Sequence, residues 1–316
     1  MREIRISKNE SGQRLDKFLQ KYLKEASKSF IYKMLRKKNI KLNNGKAEGK
    51  EMLSEGDKVA IYFSEETLQK FRGESKVDKY PVTNLEILYE DENVVFLNKP
   101  AGMLSQKAKI EDTSLVEYFL GYLQSTGEWN GREAFTPGIC NRLDRNTSGI
   151  VIAGKSLQGL QKMSELLKER TLDKYYLTIV EGVMKKPTII QGYLTKDEQQ
   201  NKVQIYDEEA PGRSYIETGY EPLVDNGKYT LLRVKLITGK THQIRSHLGS
   251  IGHPLIGDIK YGGKSYPGLK YYLLHAEEIC MPRLDEPFAL LSEKKWKAPI
   301  PKEFEKIKNQ LFKGES

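Results

Sequence analysis

Apolar residues recur at helical spacing twice near the start of the chain. In GQRLDKFLQKYLKEAS, Leu15, Phe18, Leu19, Tyr22 and Leu23 share one helical face. In SKSFIYKMLRKKN, Phe30, Ile31, Met34 and Leu35 do the same. The period then shortens. IKLNNGK reads as a strand entering a tight turn at Asn44-Gly45, and EGDKVAIYF supplies another short strand after a Gly-Asp turn. A small α/β domain is therefore expected over residues 1–72, with its core in 12–63. Residues 64–80, SEETLQKFRGESKVDKY, are polar without a convincing period and read as a linker. Without Pro or repeated Gly, this linker is expected to be partly helical and not a loose tether.

From Pro81 the pattern changes. LEILYEDENVVFLNKPAGM predicts two short apolar strands around Glu90-Asp91-Glu92-Asn93 and a break at Pro100-Ala101-Gly102. GIVIAG predicts a buried strand, after which Ser156 caps a helix carrying Leu157, Leu160, Met163 and Leu167. KYYLTIVEG, GRSYIETGYEPL and KYTLLRVKLIT predict further strands. Strands and helices do not alternate in the rhythm of a doubly wound sheet. The expected class over residues 81–312 is therefore α+β, a mixed and mainly antiparallel sheet with a few packed helices.

Composition narrows the partners. The chain has 316 residues and a net charge of +9, a length suited to one large domain and a small one. No run approaches the roughly 18 apolar residues of a membrane helix. The opening MREIRISKNE lacks the apolar stretch of a signal peptide, so a cytoplasmic monomer without a membrane partner is expected. Cys140 and Cys280 are far apart, which argues against a disulfide framework or a zinc site. His242, His247, His253 and His275 show no metal-ligand pattern, and no metal is expected. The positive charge is unevenly distributed. Lys28, Lys33, Arg36, Lys37 and Lys38 fall within eleven residues that contain no acid, a pattern suited to phosphate contacts.

The stretch CNRLDRNTSGIVIAGKS, residues 140–156, supports two incompatible readings. Gly149 to Ser156 matches the spacing of a phosphate-binding P-loop. Yet Ile150, Val151, Ile152 and Ala153 between the glycines favour a buried strand over a turn that curls round phosphate. The match is accidental. The other reading centres on Asp144, flanked by Arg142 and Arg145 and followed by turn-forming residues just before the strand. A carboxylate on a loop held by a rigid strand is a common catalytic placement. From local sequence alone, a structural Asp that caps a turn or pairs with Arg142 or Arg145 is the favoured reading, because Asp-Arg neighbours are common.

More distant segments decide between them. KPAGM (99–103), NRLDRNTSG (141–149), DKYYLTIVEG (173–182), GKTHQIRSHLGSIGHPLIGDIKYGG (239–263), LLHA (273–276) and APIP (298–301) form an ordered set. Together they resemble the RluA family of RNA pseudouridine synthases, over roughly Leu85 to Pro301. RLDKFL, SKSFIYKMLRKK and the Gly-Asp turn near the start resemble the alpha-L RNA-binding module of a small-subunit ribosomal protein. This domain order is similar to that of family members acting on ribosomal RNA.

The resemblance implies a mixed sheet bent around an RNA-binding cleft, and isomerisation of uridine to pseudouridine without cofactor or metal. It assigns Asp144 as the catalytic carboxylate, Arg245 as its basic partner and Tyr176 as the aromatic residue beside the base. Arg142 would hold the RNA open in place of the flipped nucleotide, and Lys99 would at most touch phosphate. With the N-terminal module, large-subunit ribosomal RNA is the expected partner. A non-catalytic ribosome-assembly factor and the same chemistry on transfer RNA are the alternatives. Asn141 stands where many members have His, which leaves the subfamily and the target uridines open.

Overall fold

The computed structural model describes residues 1–72, 79–131, 133–197 and 202–312. The first unit contains β1 (Arg2–Arg5), α1 (Leu15–Tyr22), α2 (Lys28–Arg36), β2 (Ile40–Leu42), β3 (Gly45–Lys46), β4 (Lys58–Ile61) and α3 (Glu65–Arg72). Its sheet runs β1-β4-β2-β3. The two amphipathic helices bury Leu15, Phe18, Leu19, Ile31 and Leu35 against Ile40, Val59 and Ile61. Ser27 caps α2 by accepting a hydrogen bond from the Phe30 amide at 3.2 Å.

Two expectations shift by a few residues. The β2–β3 turn is Asn43-Asn44, with φ of 48° and 64°, and Gly45 already pairs with Leu42. Asn tolerates the left-handed region, so the turn closes one residue early. In the expected linker, α3 occupies the first half and buries Leu68, while Phe71 packs on Phe30 at 4.3 Å between ring centroids. Residues 73–78 of that segment lie outside the described residues.

The second unit is built on a sheet ordered β11-β10-β12-β13-β9-β14-β8-β6-β5. Its strands are β5 (Glu86–Glu90), β6 (Val94–Lys99), β7 (Gly138–Ile139), β8 (Ser148–Gly154), β9 (Asp173–Glu181), β10 (Thr188–Asp197), β11 (Lys202–Tyr206), β12 (Ser214–Asp225), β13 (Tyr229–Leu236), β14 (Leu274–Cys280) and β15 (Lys295–Lys297). β7 pairs with β8, and β15 with β14. Among these strands only β8 and β14 pair in parallel, so the sheet is mixed and mainly antiparallel. The helices are α4 (Leu115–Thr126), α5 (Leu157–Glu169), α6 (Gln243–Ser250) and α7 (Lys302–Phe312).

The apolar runs of β6 and β8 follow from burial on both faces. Val95, Leu97, Val151 and Ala153 pack toward Phe119 and Leu123 of α4 and Ile244 and Leu248 of α6. Val94, Phe96, Ile150 and Ile152 pack toward Met163 and Leu166 of α5. Ser156 caps α5 through the Gly159 amide at 3.0 Å. All seven residues of β8 are buried, which removes any possibility of a phosphate loop there.

Candidate active site

The site begins with a row of paired residues across four strands. Lys99 of β6 pairs with Gly149 of β8, Gly149 with Ala276 of β14, and Ala276 with Tyr176 of β9. Small residues in the middle let the strands approach closely. Gly149 has φ of 112°, and a Cβ there would lie 2.2 Å from the Ala276 carbonyl oxygen. Only glycine fits.

The segment that carries Asp144 reaches β8 just before this row and is tied down on both sides. Ser105 Oγ donates to the Leu143 carbonyl at 2.7 Å and accepts from the Leu143 amide at 3.0 Å. The Asp144 carbonyl accepts from the Thr147 amide at 3.0 Å, closing the turn. Leu143 is buried, Arg142 and Arg145 are exposed, and Asp144 keeps 24% of its side chain accessible. The carboxylate is therefore anchored yet open to a ligand.

Lys99 departs from expectation. It is fully buried, and its ammonium donates to the carbonyls of Pro100, Met103 and Arg145 at 3.0, 2.8 and 3.1 Å. Burial lowers its pKa to about 7, opposed by the charge of Asp144. It cannot reach an RNA phosphate. The residue instead clamps the turn after β6 to the segment bearing Asp144.

Arg245 lies on the first turn of α6. Its Nη1 donates to Asp144 Oδ2 at 3.1 Å. Its Nε and Nη2 donate to the two oxygens of Asp258 at 2.7 and 2.9 Å. The guanidinium thus joins an accessible carboxylate to a buried one. Burial disfavours its charge, but the hydrogen bonds it donates to Asp258 and the surrounding charges outweigh this and raise its pKa.

Two tyrosines pack against that guanidinium. The Tyr272 ring centre lies 4.0 Å from Arg245 Cζ and the Tyr261 ring centre 5.0 Å. The Tyr272 hydroxyl donates to Asp144 Oδ2 at 3.4 Å and shares a 3.2 Å hydrogen bond with Thr147 Oγ1. His242 Nε2 is 3.7 Å from the same Asp144 oxygen, and its Nδ1 is 2.8 Å from the Tyr261 hydroxyl. Burial lowers the pKa of His242, although the Asp144 charge opposes it.

Tyr176 is 6% exposed and lies on the face shared with α6. Burial, and then the Asp144 charge, raises its pKa, so the phenol keeps its proton at neutral pH. Its neighbour Tyr175 points to the other face, with the Arg233 guanidinium 4.0 Å from its ring centre. Arg142 stands at the rim, its Nη1 3.4 Å from Gln106 Oε1. Lys28, Lys33, Arg36, Lys37 and Lys38 are exposed on and just after α2, in the N-terminal unit and outside this cluster.

Asn141 makes a structural contact. Its amide accepts from the Ile152 amide at 2.8 Å and donates to the Ile150 carbonyl at 3.4 Å, extending the ladder beside β8. Burial pushes the Cys140 thiol up to about 12, which leaves it protonated and a poor nucleophile. Asp258, Tyr261 and Tyr272 were not picked out in sequence. The signal for Asp258 was a lone acid among Leu255, Ile256 and Ile259; Tyr272 carried none beyond its place immediately before LLHA.

Comparison with known proteins agrees with this arrangement. Residues 93–250 match the family model described as RNA pseudouridylate synthase. A ribosomal large subunit pseudouridine synthase C of Pasteurella multocida is 31% identical over 99% of this chain and 94% of its own length. An uncharacterised RNA pseudouridine synthase of Mycoplasma pneumoniae is 32% identical, covering 88% of each chain. Among solved structures, human RNA pseudouridylate synthase domain containing 4 has the same fold, with a TM-score of 0.58 and 21% identity. That match covers 71% of this chain and 92% of the human one.

Proposed function

Because the chain belongs to the RNA pseudouridylate synthase family, we propose that it isomerises uridines of large-subunit ribosomal RNA, with Asp144 as the catalytic carboxylate. The observation that carries the assignment is the pairing of Asp144, partly accessible, with the buried Arg245 guanidinium at 3.1 Å. A permanent cation holds the carboxylate in place while one side stays open to a sugar. The relatives named as large-subunit synthases support the ribosomal substrate.

In the reaction the bond from uracil N1 to the sugar C1′ breaks, the base turns, and C5 bonds to C1′. The C5 proton leaves and N1 gains one. Asp144 acts on the sugar, either by attacking C1′ or by taking a proton from C2′. Arg245 holds the carboxylate through both stages, and Asp258 fixes Arg245 from behind. Tyr176 offers an apolar ring to the base and a hydroxyl that retains its proton. Arg142, exposed at the rim, occupies the gap left when the uridine is flipped from its stack.

The five cations of residues 28–38 would contact RNA backbone, so residues 1–72 serve as a binding module for the catalytic unit of 81–312. The test is tritium release from ribosomal RNA transcribed with uridine labelled at C5. Wild type should release tritium and Asp144→Asn should not. Equal release by both would reject Asp144; release by neither, with RNA still bound, would reject the isomerase reading for this RNA.

A further inference from the structure

The N-terminal sheet has two faces, and helices cover one of them. Ile4, Ile40, Val59 and Ile61 point toward α1 and α2. Strand alternation sends Arg5 of β1, Lys41 of β2, Lys46 of β3, and Lys58 and Ala60 of β4 to the opposite face. Tyr62, just beyond β4, continues that face.

Cations on this open side stand directly across from one another. Arg5 pairs with Lys58 between β1 and β4, and Lys41 with Lys46 between β2 and β3. Like charges at opposed positions destabilise a ladder unless something neutralises them. Glu3 offsets part of the excess through an ion pair with Lys58 at 3.3 Å. Among the described residues no acid forms an ion pair with Arg5, Lys41 or Lys46. The face is arranged for an external anion.

Tyr62 adds a second kind of contact. It is 41% exposed, and the Lys41 ammonium lies 5.1 Å from its ring centre. Its amide donates to the Asn39 carbonyl at 2.8 Å, so Lys37 and Lys38 at the end of α2 lead directly onto the same surface. Ala60, between Glu3 and Lys41 in the pairing, is the small, buried residue at the middle of that face.

We propose that this open sheet face binds a single-stranded segment of RNA, with Tyr62 stacked on a nucleobase and the four cations on the flanking phosphates. The inference rests on the RNA-modifying reading above and gives the N-terminal unit a binding side that continues from Lys37 and Lys38 at the end of α2. An exposed ring lying on a sheet can reach a base only where that base is unpaired, which excludes duplex. Four strands spaced about 4.8 Å apart span roughly 14 Å. Aromatic residues on a four-stranded sheet can stack two or three bases.

The experiment measures binding of fluorescein-labelled octauridylate to the full chain and to Tyr62→Leu, Tyr62→Phe and the pair Lys41→Gln with Lys46→Gln. Tyr62→Leu should weaken binding about tenfold, while Tyr62→Phe stays within about twofold, since stacking needs the ring and not the hydroxyl. The double lysine variant should lower the slope of log affinity against log salt by about 1.4, two single-strand phosphate contacts. Thermal melting of each variant excludes unfolding as the cause. Failure of wild type to bind octauridylate at low salt, or unchanged binding by Tyr62→Leu, overturns the proposal. Tritium release from ribosomal RNA, measured on the same preparations, keeps the two readings apart. Release by wild type alongside unchanged octauridylate binding by Tyr62→Leu removes this surface and leaves the isomerase reading standing.

Discussion

Arg245 works only because Asp258 accepts two of its hydrogen bonds, leaving Nη1 for Asp144. Asp258→Asn would leave a buried guanidinium short of an anionic partner, a change that costs about 3–5 kcal/mol in such pairs. Urea unfolding should show that loss, and tritium release should fall with it. Arg245→Lys should not rescue, because one ammonium cannot present the fork that serves both carboxylates. Tyr272→Phe keeps the ring under Arg245 but removes the hydroxyl from Asp144. The long hydrogen bond to Asp144 is worth about 1 kcal/mol or less, so turnover should fall about threefold to fivefold, while losing the partner of the buried Thr147 hydroxyl should cost about 1–3 kcal/mol of stability in urea. Lys99 gives a pH signature. Its folded pKa is depressed to about 7 from an ordinary value of 10.5. Below pH 7 the ammonium is charged in both states and its burial cost is fully present. Above 7 the unfolded chain binds the extra proton, so stability attributable to Lys99 rises with pH up to about 10.5. Wild type should therefore gain on Lys99→Met by a few kcal/mol between pH 6.5 and 9.5, read from urea midpoints. A flat difference would mean that the three carbonyls, and not burial, set the proton affinity of Lys99.

At the scale of elements, the parallel pairing of β8 with β14 is a tight constraint. Gly149→Ala adds a methyl where the Ala276 carbonyl already sits and demands a positive φ from alanine. Such combined overlap and strain costs several kcal/mol, on the order of 4 or more. Purified protein should show a large fall in melting temperature, together with lost activity. The elements that sequence predicted well were those with a clean period. α1, α2, α5, β6, β8, β9, β12 and β13 all lie where their apolar spacing suggested. α4 was passed over although Ser114 and Glu117 form a capping box and Gly127 closes the helix in the left-handed region. Its residues are apolar on most sides, because it is buried against both the sheet and Trp129, and so it shows little contrast between faces. β10 and β11 were missed for the opposite reason. They form the far edge of the sheet, where exposed residues such as Ile189 blur the alternation.

At the scale of the molecule, the small unit touches the larger one through Glu10, whose Oε1 accepts from the Ala134 amide at 2.9 Å, and Ala134 packs on the small unit's core. Deleting residues 1–72 frees that contact but leaves the sheet that carries Asp144, Tyr176 and Arg245 intact. The truncated chain should keep tritium release at saturating RNA, with a higher KM and a shallower dependence of binding on salt. A truncated chain that cannot fold would show that the larger unit depends on this contact for stability.

Sequence alone determined the class of fold, the basic flank of α2 and the ordered segments in which Asp144, Tyr176 and Arg245 lie. These follow from local period, local charge and short motifs, each contained in a stretch of neighbouring residues. Tertiary structure alone decided the roles of residues that touch across the chain. Lys99 reads as a free cation because lysine is usually exposed, yet folding surrounds it with carbonyls from Pro100, Met103 and Arg145. Asp258 and Tyr272 lie 114 and 128 residues beyond Asp144, and no local pattern ties them to it. Pairing of β8 with β14, and docking of α6 on the same face, bring Tyr272 to the Asp144 carboxylate directly and Asp258 to it through Arg245.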